Sequence, residues 1–269
     1  MDSAGIVSVN RNDSLRRRLI SAVIGIPTLL LFIWAGGLWF IAGVVAVSLF
    51  GLLEFYRLSH VQRLWLQRGP GIVLTVLLVL NGHWGVASHP LLVGGALITL
   101  PLSYLWTPLS AREWIRSIAG PLYLGGTLAY AVLLRDLDGG GQWVALALFA
   151  TFSVDTVAYF TGKAVGHHPM APRISPGKTW EGAVAGLIAG IVATIILIAI
   201  LELPIGLMAG ALLGVGIGFV AQVGDLLEST LKRFAKAKEA SSLIPGHGGF
   251  LDRLDSVVFT LLLVYYGTV

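Results

Sequence analysis

Long apolar runs that contain almost no charged residue are the feature that most restricts how this chain can fold. Of its 269 residues, 56% are hydrophobic and only 12% are charged, against about a quarter charged in a soluble globular domain. Runs of roughly 17 to 25 apolar residues can cross the hydrocarbon core of a bilayer as helices. The runs are continuous rather than alternating, which excludes a transmembrane β-barrel. We therefore predict an all-α polytopic membrane protein with about nine transmembrane helices.

The predicted spans cover the apolar runs between charged or turn-forming segments. They are residues 19–34, 38–55, 71–86, 91–106, 118–134, 143–160, 183–201, 205–223 and 254–266. An odd number of spans puts the two termini on opposite sides, and every Lys and Arg except Arg135 then falls on one side. Because Lys and Arg accumulate in cytoplasmic loops, we predict a cytoplasmic N-terminus, a C-terminus on the opposite side, and a multi-pass protein of the cytoplasmic (inner) membrane.

The two halves of the chain differ in polarity. Residues 1–140 are apolar spans with short connections, and we expect them to serve as a scaffold and to give access to lipid. Residues 141–269 combine further spans with long polar segments, which we predict to be cytoplasmic catalytic loops. In the first half, Glu54 and Arg57 have a spacing that predicts a local ion pair. The chain has no Cys, so disulfides and thiolate metal sites are excluded.

A first group of charged residues follows the eighth predicted span. Asp225, Glu228, Lys232 and Arg233 have offsets that place them on one face of a helix continuing out of that span. A solvated face with local ion pairs is the alternative. For Asp225 we favour a functional role, because a carboxylate at the end of an apolar helix is unfavourable without a cation.

A glycine-rich loop with acidic residues leads into the ninth predicted span. The loop contains His247, Gly248 and Gly249, and its backbone N–H groups are suited to binding a phosphate. Asp252 and Asp255 follow at the predicted start of the helix, where pairing with the helix N-terminus is the alternative role. Opposite Asp225, they have the chemistry of ligands for a hard cation such as Mg²⁺, which takes one or two carboxylates together with substrate phosphates. This combination predicts metal-assisted phosphoryl or nucleotidyl transfer.

A third polar segment lies between the sixth and seventh predicted spans. Ser175, followed by Pro, predicts a helix start with Ser as its cap. Lys178 is a candidate phosphate-binding residue, and Glu181 is a candidate ligand or a residue that orients Lys178. Asp155 lies inside the sixth predicted span, with Lys163 near its end. A carboxylate in a membrane span is a functional candidate, with a buried hydrogen bond to a neighbouring helix as the alternative.

Together these segments resemble the phosphatidate cytidylyltransferases, also called CDP-diacylglycerol synthases. The matching residues run from about residue 155 to the C-terminus, and Glu239 stands where the family usually has Asp. They are Ser229, Leu231, Lys232, Arg233, Lys238, Pro245, His247, Gly248, Gly249, Asp252, Arg253 and Asp255, with Ser175, Pro176, Lys178, Thr179, Trp180, Glu181 and Gly182 upstream.

The resemblance implies a metal-dependent transfer from CTP to phosphatidate at the cytoplasmic face of the membrane. It implies that Asp225 and Asp252 hold Mg²⁺, with K⁺ as a candidate second cation. On this basis we assign catalytic roles to Asp225, Asp252, Lys232, Arg233 and Asp255. Substrate-binding roles go to Ser175, Lys178, Glu181, Glu228, His247, Gly248, Gly249, Arg253, Asp155 and Lys163.

Two other functions stay open for the sequence. A CTP-dependent polyprenol or phytol kinase would share the nucleotide site and transfer the γ-phosphate. A transporter would place its charges at the bilayer midplane on broken helices, whereas the charges here lie near one membrane face. The expected partners are CTP, phosphatidate and membrane lipids, with no nucleic acid, and a homodimer is one assembly that the sequence permits.

Overall fold

The chain folds almost entirely into helices. In a computed structural model, the described residues are 11–61, 68–84, 94, 110–244 and 248–269. A 3₁₀ turn (Gly82–Trp84) follows the third helix, and a π-helical turn (Leu122–Gly126) joins the fourth to the fifth. In chain order the elements are α1 (Arg11–Ala35), α2 (Gly37–Leu58), α3 (Gly69–Asn81), α4 (Ala111–Pro121), α5 (Thr127–Arg135), α6 (Gly140–Val165), β1 (Pro169–Ala171), β2 (Ser175–Thr179), α7 (Trp180–Ile200), α8 (Leu207–Phe234), α9 (Leu251–Leu254) and α10 (Val257–Thr268).

Several helices have the length and composition of membrane spans, as the sequence predicts. Within the described residues, five helical segments are long and apolar enough to cross a bilayer, and two shorter apolar helices accompany them. The five are Gly37–Leu58, Arg112–Arg135, Gly140–Val165, Trp180–Ile200 and Leu207–Phe234. The protein is therefore an all-α membrane protein. The predicted span 91–106 lies outside the described residues apart from residue 94, so the number of nine spans and the orientation of the termini stay predictions.

Helices α6, α7 and α8 pack closely against one another in the C-terminal half. A Cβ atom at Gly190 of α7 would lie 2.8 Å from the carbonyl oxygen of Gly214 in α8. A Cβ atom at Gly182 would lie 2.6 Å from the carbonyl oxygen of Ala158 in α6. Small residues thus let the helix backbones touch, which is the usual way for helices to associate in a membrane.

The opposite face of α7 carries large apolar side chains that no other described element covers. They recur every four residues, which puts them in one row along the helix. The row consists of Val184, Ile188, Val192, Ile196 and Ile200, all of them exposed. An exposed apolar row of this length is the expected surface of a helix that faces lipid.

A short β-hairpin precedes α7, where the sequence had predicted a helix start. Strand β2 pairs antiparallel with β1, and Ser175 lies opposite Ala171 in this pairing. The helix begins five residues later, at Trp180, and the Thr179 hydroxyl accepts the N–H of Gly182 at 3.2 Å. The predicted helix cap at Ser175 is therefore wrong. Pro176 favours extended backbone at the residue before it, and the β-branched Thr179 supplies the cap instead.

In the N-terminal half, α2 is the helix that reaches the C-terminal loop. It contacts α9 as well as α3, α4 and α5. Leu52 and Tyr56 of α2 are fully buried, and the Tyr56 hydroxyl donates to the carbonyl oxygen of Ser117 in α4 at 2.8 Å. Helix α2 is thereby fixed on the side facing α4, while its other contacts hold the segment around α9.

Candidate active site

The C-terminal end of α8 brings one carboxylate into contact with the hairpin. Asp225 forms an ion pair with Lys178 of β2, with 2.7 Å between Nζ and Oδ2. Its other oxygen accepts the hydroxyl of Ser229, one turn further along α8, at 3.2 Å. The Lys178 ammonium also lies 3.5 Å from the carbonyl oxygen of Gln222. The structure thus brings together Lys178 and Asp225, two predicted site residues from different polar segments.

A second lysine joins two carboxylates from different elements. Lys232 of α8 pairs with Asp252 of α9 at 2.7 Å and with Glu228 one turn before it on α8. The second oxygen of Asp252 accepts the N–H groups of Ala240 and Gly249, at 2.9 and 2.8 Å. Burial disfavours the charged form of Asp252, but the Lys232 hydrogen bond and these two amides hold its pKa below the ordinary value.

The Glu228 side chain is fully buried beneath this lysine. Its Oε2 atom makes the ion pair with Lys232, whereas Oε1 has no hydrogen-bond partner among the residues that the structure describes. A buried carboxylate oxygen without a partner is unfavourable. It therefore marks a position where a cation or a further donor would be stabilised.

Three aspartates from different parts of the chain lie within electrostatic range of one another. Asp155 of α6 lies within electrostatic range of both Asp225 and Asp255. Asp255 follows α9 and lies within electrostatic range of Asp225. The backbone of α8 packs against that of Asp255 at Gly224, where a Cβ atom would lie 2.3 Å from the carbonyl oxygen of Asp255. The structure therefore joins Asp155 to the acidic residues of the last polar segment.

The glycine-rich loop directs its amides at carboxylates of the protein. Gly248 has φ +80°, a conformation that favours glycine, and it lies against the Asp252 side chain. The N–H of Gly249 donates to Asp252, and the N–H of Leu251 donates to Glu54 of α2 at 2.8 Å. His247 lies outside the described residues. Phosphate binding by His247, Gly248 and Gly249 stays a prediction.

The lysines and carboxylates described above form one charged cluster, which consists of Asp155, Lys178, Asp225, Glu228, Lys232, Asp252 and Asp255. Other predicted site residues lie at its edge. Glu181 pairs with the ring of His168 at 2.6 Å, whereas Lys178 pairs with Asp225. The role of Glu181 as a ligand or as a residue that orients Lys178 stays a prediction. Arg233 is exposed, and its Nε donates to the carbonyl oxygen of Ile174 at the hairpin, at 2.8 Å.

Two further predicted site residues, Lys163 and Arg253, are exposed. Lys163 is exposed at the end of α6, and its Nζ lies 6.0 Å from the centre of the Tyr159 ring. Arg253 is exposed and lies within electrostatic range of Asp155 and Asp255. Their predicted roles in substrate binding remain untested.

Glu54 has a different environment from the predicted one. The sequence predicts a local ion pair with Arg57, but the Glu54 carboxylate accepts the hydroxyl of Ser241 and the amides of Phe250 and Leu251 instead. The pair with Arg57 is therefore wrong. A carboxylate within an apolar span was the available signal, because such a group requires partners. The local sequence pattern does not predict hydrogen-bond partners that lie almost 200 residues away.

No sequence pattern identifies two further polar residues that lie near the cluster, Gln222 and Tyr123. Gln222 donates from Nε2 to the carbonyl oxygens of Ala183 and Gly218, at 3.0 and 2.9 Å, and so ties α8 to α7. Tyr123 lies in the π-helical turn, and its buried hydroxyl has no hydrogen-bond partner among the described residues. π-helical turns occur frequently at functional sites.

The cluster as a whole alternates carboxylates with ammonium groups at one end of α6 and α8. Lysines in such positions bind phosphates as point charges. The described residues contain no group of three or more His, Asp or Glu side chains arranged to hold a metal ion by themselves. A Mg²⁺ ion bound here would be held by one or two carboxylates and completed by substrate phosphates and water, which is its usual environment beside nucleotides.

Comparisons with known proteins find that almost the entire chain is similar to cytidylyltransferases. Residues 16–268 match the sequence family described as the Cytidylyltransferase family. The chain is 38% identical to a phosphatidate cytidylyltransferase of Pseudomonas aeruginosa over 270 residues, covering 93% of this chain and 97% of the relative. It is 34% identical to the protein of that name from Synechocystis sp. over 281 residues, with 93% and 95% covered. A Brucella abortus relative of the same name is 33% identical over 257 residues, with 94% and 93% covered.

Proposed function

This chain belongs to the cytidylyltransferase family, and we propose that it transfers the cytidylyl group of CTP to phosphatidate, forming CDP-diacylglycerol and pyrophosphate. The names of three relatives that match over more than 90% of their length support phosphatidate as the acceptor. The apolar helices support an acceptor that stays in the bilayer through its acyl chains. A membrane enzyme can then meet soluble CTP at its polar end.

The observation that carries the proposal is the meeting of two lysine–aspartate pairs from separate segments. Lys178 of the hairpin pairs with Asp225, and Lys232 of α8 pairs with Asp252 of α9. The ammonium groups have the charge to bind the phosphates of CTP and phosphatidate, and the carboxylates have the charge to bind a cation. Electrostatic stabilisation of this kind is usually the largest contribution to phosphoryl and nucleotidyl transfer.

The proposed reaction is a substitution at the α-phosphorus of CTP. A phosphate oxygen of phosphatidate forms a bond to that phosphorus, and the bond to the oxygen bridging the α- and β-phosphates breaks. Pyrophosphate leaves with the electron pair of that bond. Phosphatidate is already an anion near neutral pH, because the second pKa of a phosphate monoester is about 6. Lys178 and Lys232 therefore need to hold and neutralise phosphates, and no strong general base is required.

Mg²⁺ fits the donors that the cluster offers. Asp225 and Asp252 supply carboxylate oxygens, which are the ligands that Mg²⁺ prefers. The partnerless Oε1 atom of buried Glu228 adds negative charge beside them. We propose that Asp225 and Asp252 hold the ion and that Asp255 and Glu228 support them. When bound, Mg²⁺ would neutralise the charge that develops on the departing phosphates. K⁺ as a second cation remains part of the proposal.

The site is proposed to face the cytoplasm, and the membrane to be the inner one. Support comes from the distribution of Lys and Arg, which the positive-inside rule places in cytoplasmic loops. CTP is then available on the same side as Lys178 and Lys232. A homodimer is compatible with this arrangement and is not required by it, because all the paired residues come from one chain.

The test uses purified protein with phosphatidate in detergent micelles, CTP labelled at the α-phosphate, and Mg²⁺. We expect the label to enter the organic phase together with release of pyrophosphate, and to depend on both phosphatidate and Mg²⁺. Accumulation of CDP with a lipid alcohol as acceptor would instead identify a lipid kinase. Absence of both products with protein that is folded would overturn the proposed transfer, and vesicle uptake assays would then test transport.

A further inference from the structure

A buried carboxylate in the N-terminal half lies directly behind the proposed catalytic loop. Glu54 is in the last two turns of α2, and only 6% of its surface is exposed. It is the acidic residue of a membrane helix whose other charged residue, Arg57, is exposed. A charged group in such a place is strongly unfavourable unless donors surround it. The hydrogen-bond partners of Glu54 therefore indicate the role of its carboxylate.

Among the described residues, the hydrogen bonds of the Glu54 side chain all go to the segment that leads into the proposed cation ligand Asp252. Its Oε1 atom accepts the hydroxyl of Ser241 and the N–H of Phe250, the latter at 3.2 Å. Its Oε2 atom accepts the N–H of Leu251 at 2.8 Å. One side chain of α2 thus holds two separate points of the chain between α8 and Asp252, namely Ser241 and the pair Phe250 and Leu251.

The same segment is fixed from its other side by Asp252. Asp252 accepts the amides of Ala240 and Gly249, and its remaining oxygen faces Lys232. Phe250 and Leu251, which Glu54 holds, immediately precede Asp252 in the chain. A change in their backbone would therefore move Asp252 relative to Lys232.

The fit between α2 and the loop is tight. A Cβ atom at Gly249 would lie 2.4 Å from Oε2 of Glu54, so the carboxylate occupies the space that any other residue would need. One turn before Glu54, the ring of Phe50 stacks on the ring of Phe250 with their centres 5.0 Å apart. Helix α2 therefore holds the loop by a charge and by an aromatic contact.

We propose that Glu54 is a positioning residue, which holds the backbone of residues 249–251 so that Asp252 is presented to Lys232 and to the substrate. It touches neither the substrate nor the reacting atoms. The part of this inference that concerns turnover rests on the proposed function. The part that concerns the loop rests on the hydrogen bonds alone, and the two parts can be tested separately.

The first test measures amide hydrogen exchange in the purified full-length protein. In Glu54→Gln, one acceptor oxygen becomes an NH₂ group that faces an N–H donor, so the amide of either Phe250 or Leu251 loses its partner. We expect the exchange of that amide to become at least about tenfold faster, which corresponds to 1.4 kcal/mol of lost protection. Exchange in α6 and α7 should stay unchanged. Unchanged protection of residues 250 and 251 in the variant would overturn the proposal.

The second test separates positioning from general destabilisation. Ser48→Ala is the matched control, because Ser48 is also buried on α2 but, among the described residues, its hydroxyl donates to the Val44 carbonyl oxygen of its own helix. We expect Glu54→Gln to lower kcat by about 100-fold, the effect of a displacement near 1 Å at a reacting centre, with KM for CTP nearly unchanged. Ser48→Ala should keep wild-type kcat. Equal kcat losses in both variants, after correction for folded protein, would reduce Glu54 to a purely structural residue.

A second variant keeps the proposal testable if Glu54→Gln fails to fold. Gly249→Ala retains the carboxylate but places a methyl group against it. We expect it to lower kcat in the wild-type background and to have a smaller effect in Glu54→Ala, because the two residues are in contact. Additive effects would contradict the proposal. If wild-type protein transfers no cytidylyl group, the proposed function fails, while the exchange experiment still decides whether Glu54 holds the loop.

Discussion

Single side chains in this protein have partners from distant parts of the sequence. Lys232 joins Glu228 of its own helix to Asp252, and Lys178 of the hairpin meets Asp225. The carboxylates of Glu228 and Asp252 are buried and that of Asp225 is partly buried, so the first two depend most on their cation for stability. The same pairs are the candidates for binding phosphate and metal, which means that stability and turnover are linked at these positions.

Changing either aspartate to asparagine should remove turnover without unfolding the protein. In Asp252→Asn, an NH₂ group replaces one oxygen and faces either Lys232 or the amides of Ala240 and Gly249, all of which are donors. We expect kcat to fall by at least about 100-fold in Asp252→Asn and in Asp225→Asn. Label transfer into lipid measures the rate, and the control is Asp138→Asn, an exposed residue of the α5–α6 turn. Wild-type kcat in either variant would remove that aspartate from the proposed metal site.

Removal of the shared lysine should destabilise the fold as well as the site. Lys232→Met leaves Glu228 and Asp252 buried without their common cation. The expected loss is about 3 to 5 kcal/mol of unfolding free energy, the usual effect of breaking a buried ion pair. Adding Glu228→Gln should recover part of the stability, because it removes one unpaired charge, but no activity.

Denaturant unfolding in detergent compares these two proteins with wild type. A Lys232→Met protein as stable as wild type would show that the two carboxylates do not depend on this lysine. Recovery of turnover in the double variant would contradict the proposed contact of Lys232 with phosphate.

Among the elements, the hairpin before α7 differs most from what the sequence predicts. Ser175 and Pro176 have the composition of a helix start, yet they lie in β2 and the helix begins at Trp180. Pairing with β1 holds this segment extended, and the hairpin places Lys178 opposite Asp225. An uninterrupted helix from Ser175 would rotate Lys178 away from that position.

The observed start of α7 can be tested by its cap. Thr179→Ala removes the hydroxyl that accepts the N–H of Gly182, and we expect a loss of about 1 kcal/mol. Thr179→Ser should retain most of the stability, because Ser caps helices equally well. Ser175→Ala should change the stability by less than about 0.5 kcal/mol. Thermal unfolding of the three variants provides the measurement, and a larger loss in Ser175→Ala than in Thr179→Ala would support the helix start at Ser175.

At the scale of the whole molecule, three long helices separate the α5–α6 turn from the proposed site. Helices α6, α7 and α8 each have the length and composition of a membrane span. We expect all three to cross the bilayer, and three crossings would put Asp138, before α6, and Lys238, after α8, on opposite faces. The positive-inside rule assigns Lys238 to the cytoplasm.

Cysteine labelling tests this arrangement cleanly, because the chain contains no Cys of its own. Both Asp138 and Lys238 are exposed. We expect Asp138→Cys to react with a membrane-impermeant maleimide on intact spheroplasts, and Lys238→Cys to react only in inverted vesicles. Reaction of both residues from one side would contradict the three crossings. The reverse pattern would invert the proposed orientation of the site.

The sequence alone determines that this chain forms apolar membrane helices, because a backbone in lipid must satisfy its hydrogen bonds within each segment. It also indicates candidate functional residues, such as Asp225, Asp252 and Lys232, since a charged side chain next to an apolar membrane helix is unfavourable without a binding partner. These conclusions depend on composition and on local spacing, and for α2, α6, α7 and α8 the predicted spans lie within the observed helices or overlap them closely.

Only the tertiary structure decides which of these residues meet. The pairing of Lys178 with Asp225, and of Glu54 with the amides of Phe250 and Leu251, joins residues that are far apart in the chain. Such contacts depend on how helices pack, and close packing at Gly190 or Gly249 is set by atoms of another element. The local pattern around Glu54 is equally compatible with a pair to Arg57. Burial against the loop selects the other partners, because amides and a carboxylate removed from water stabilise each other.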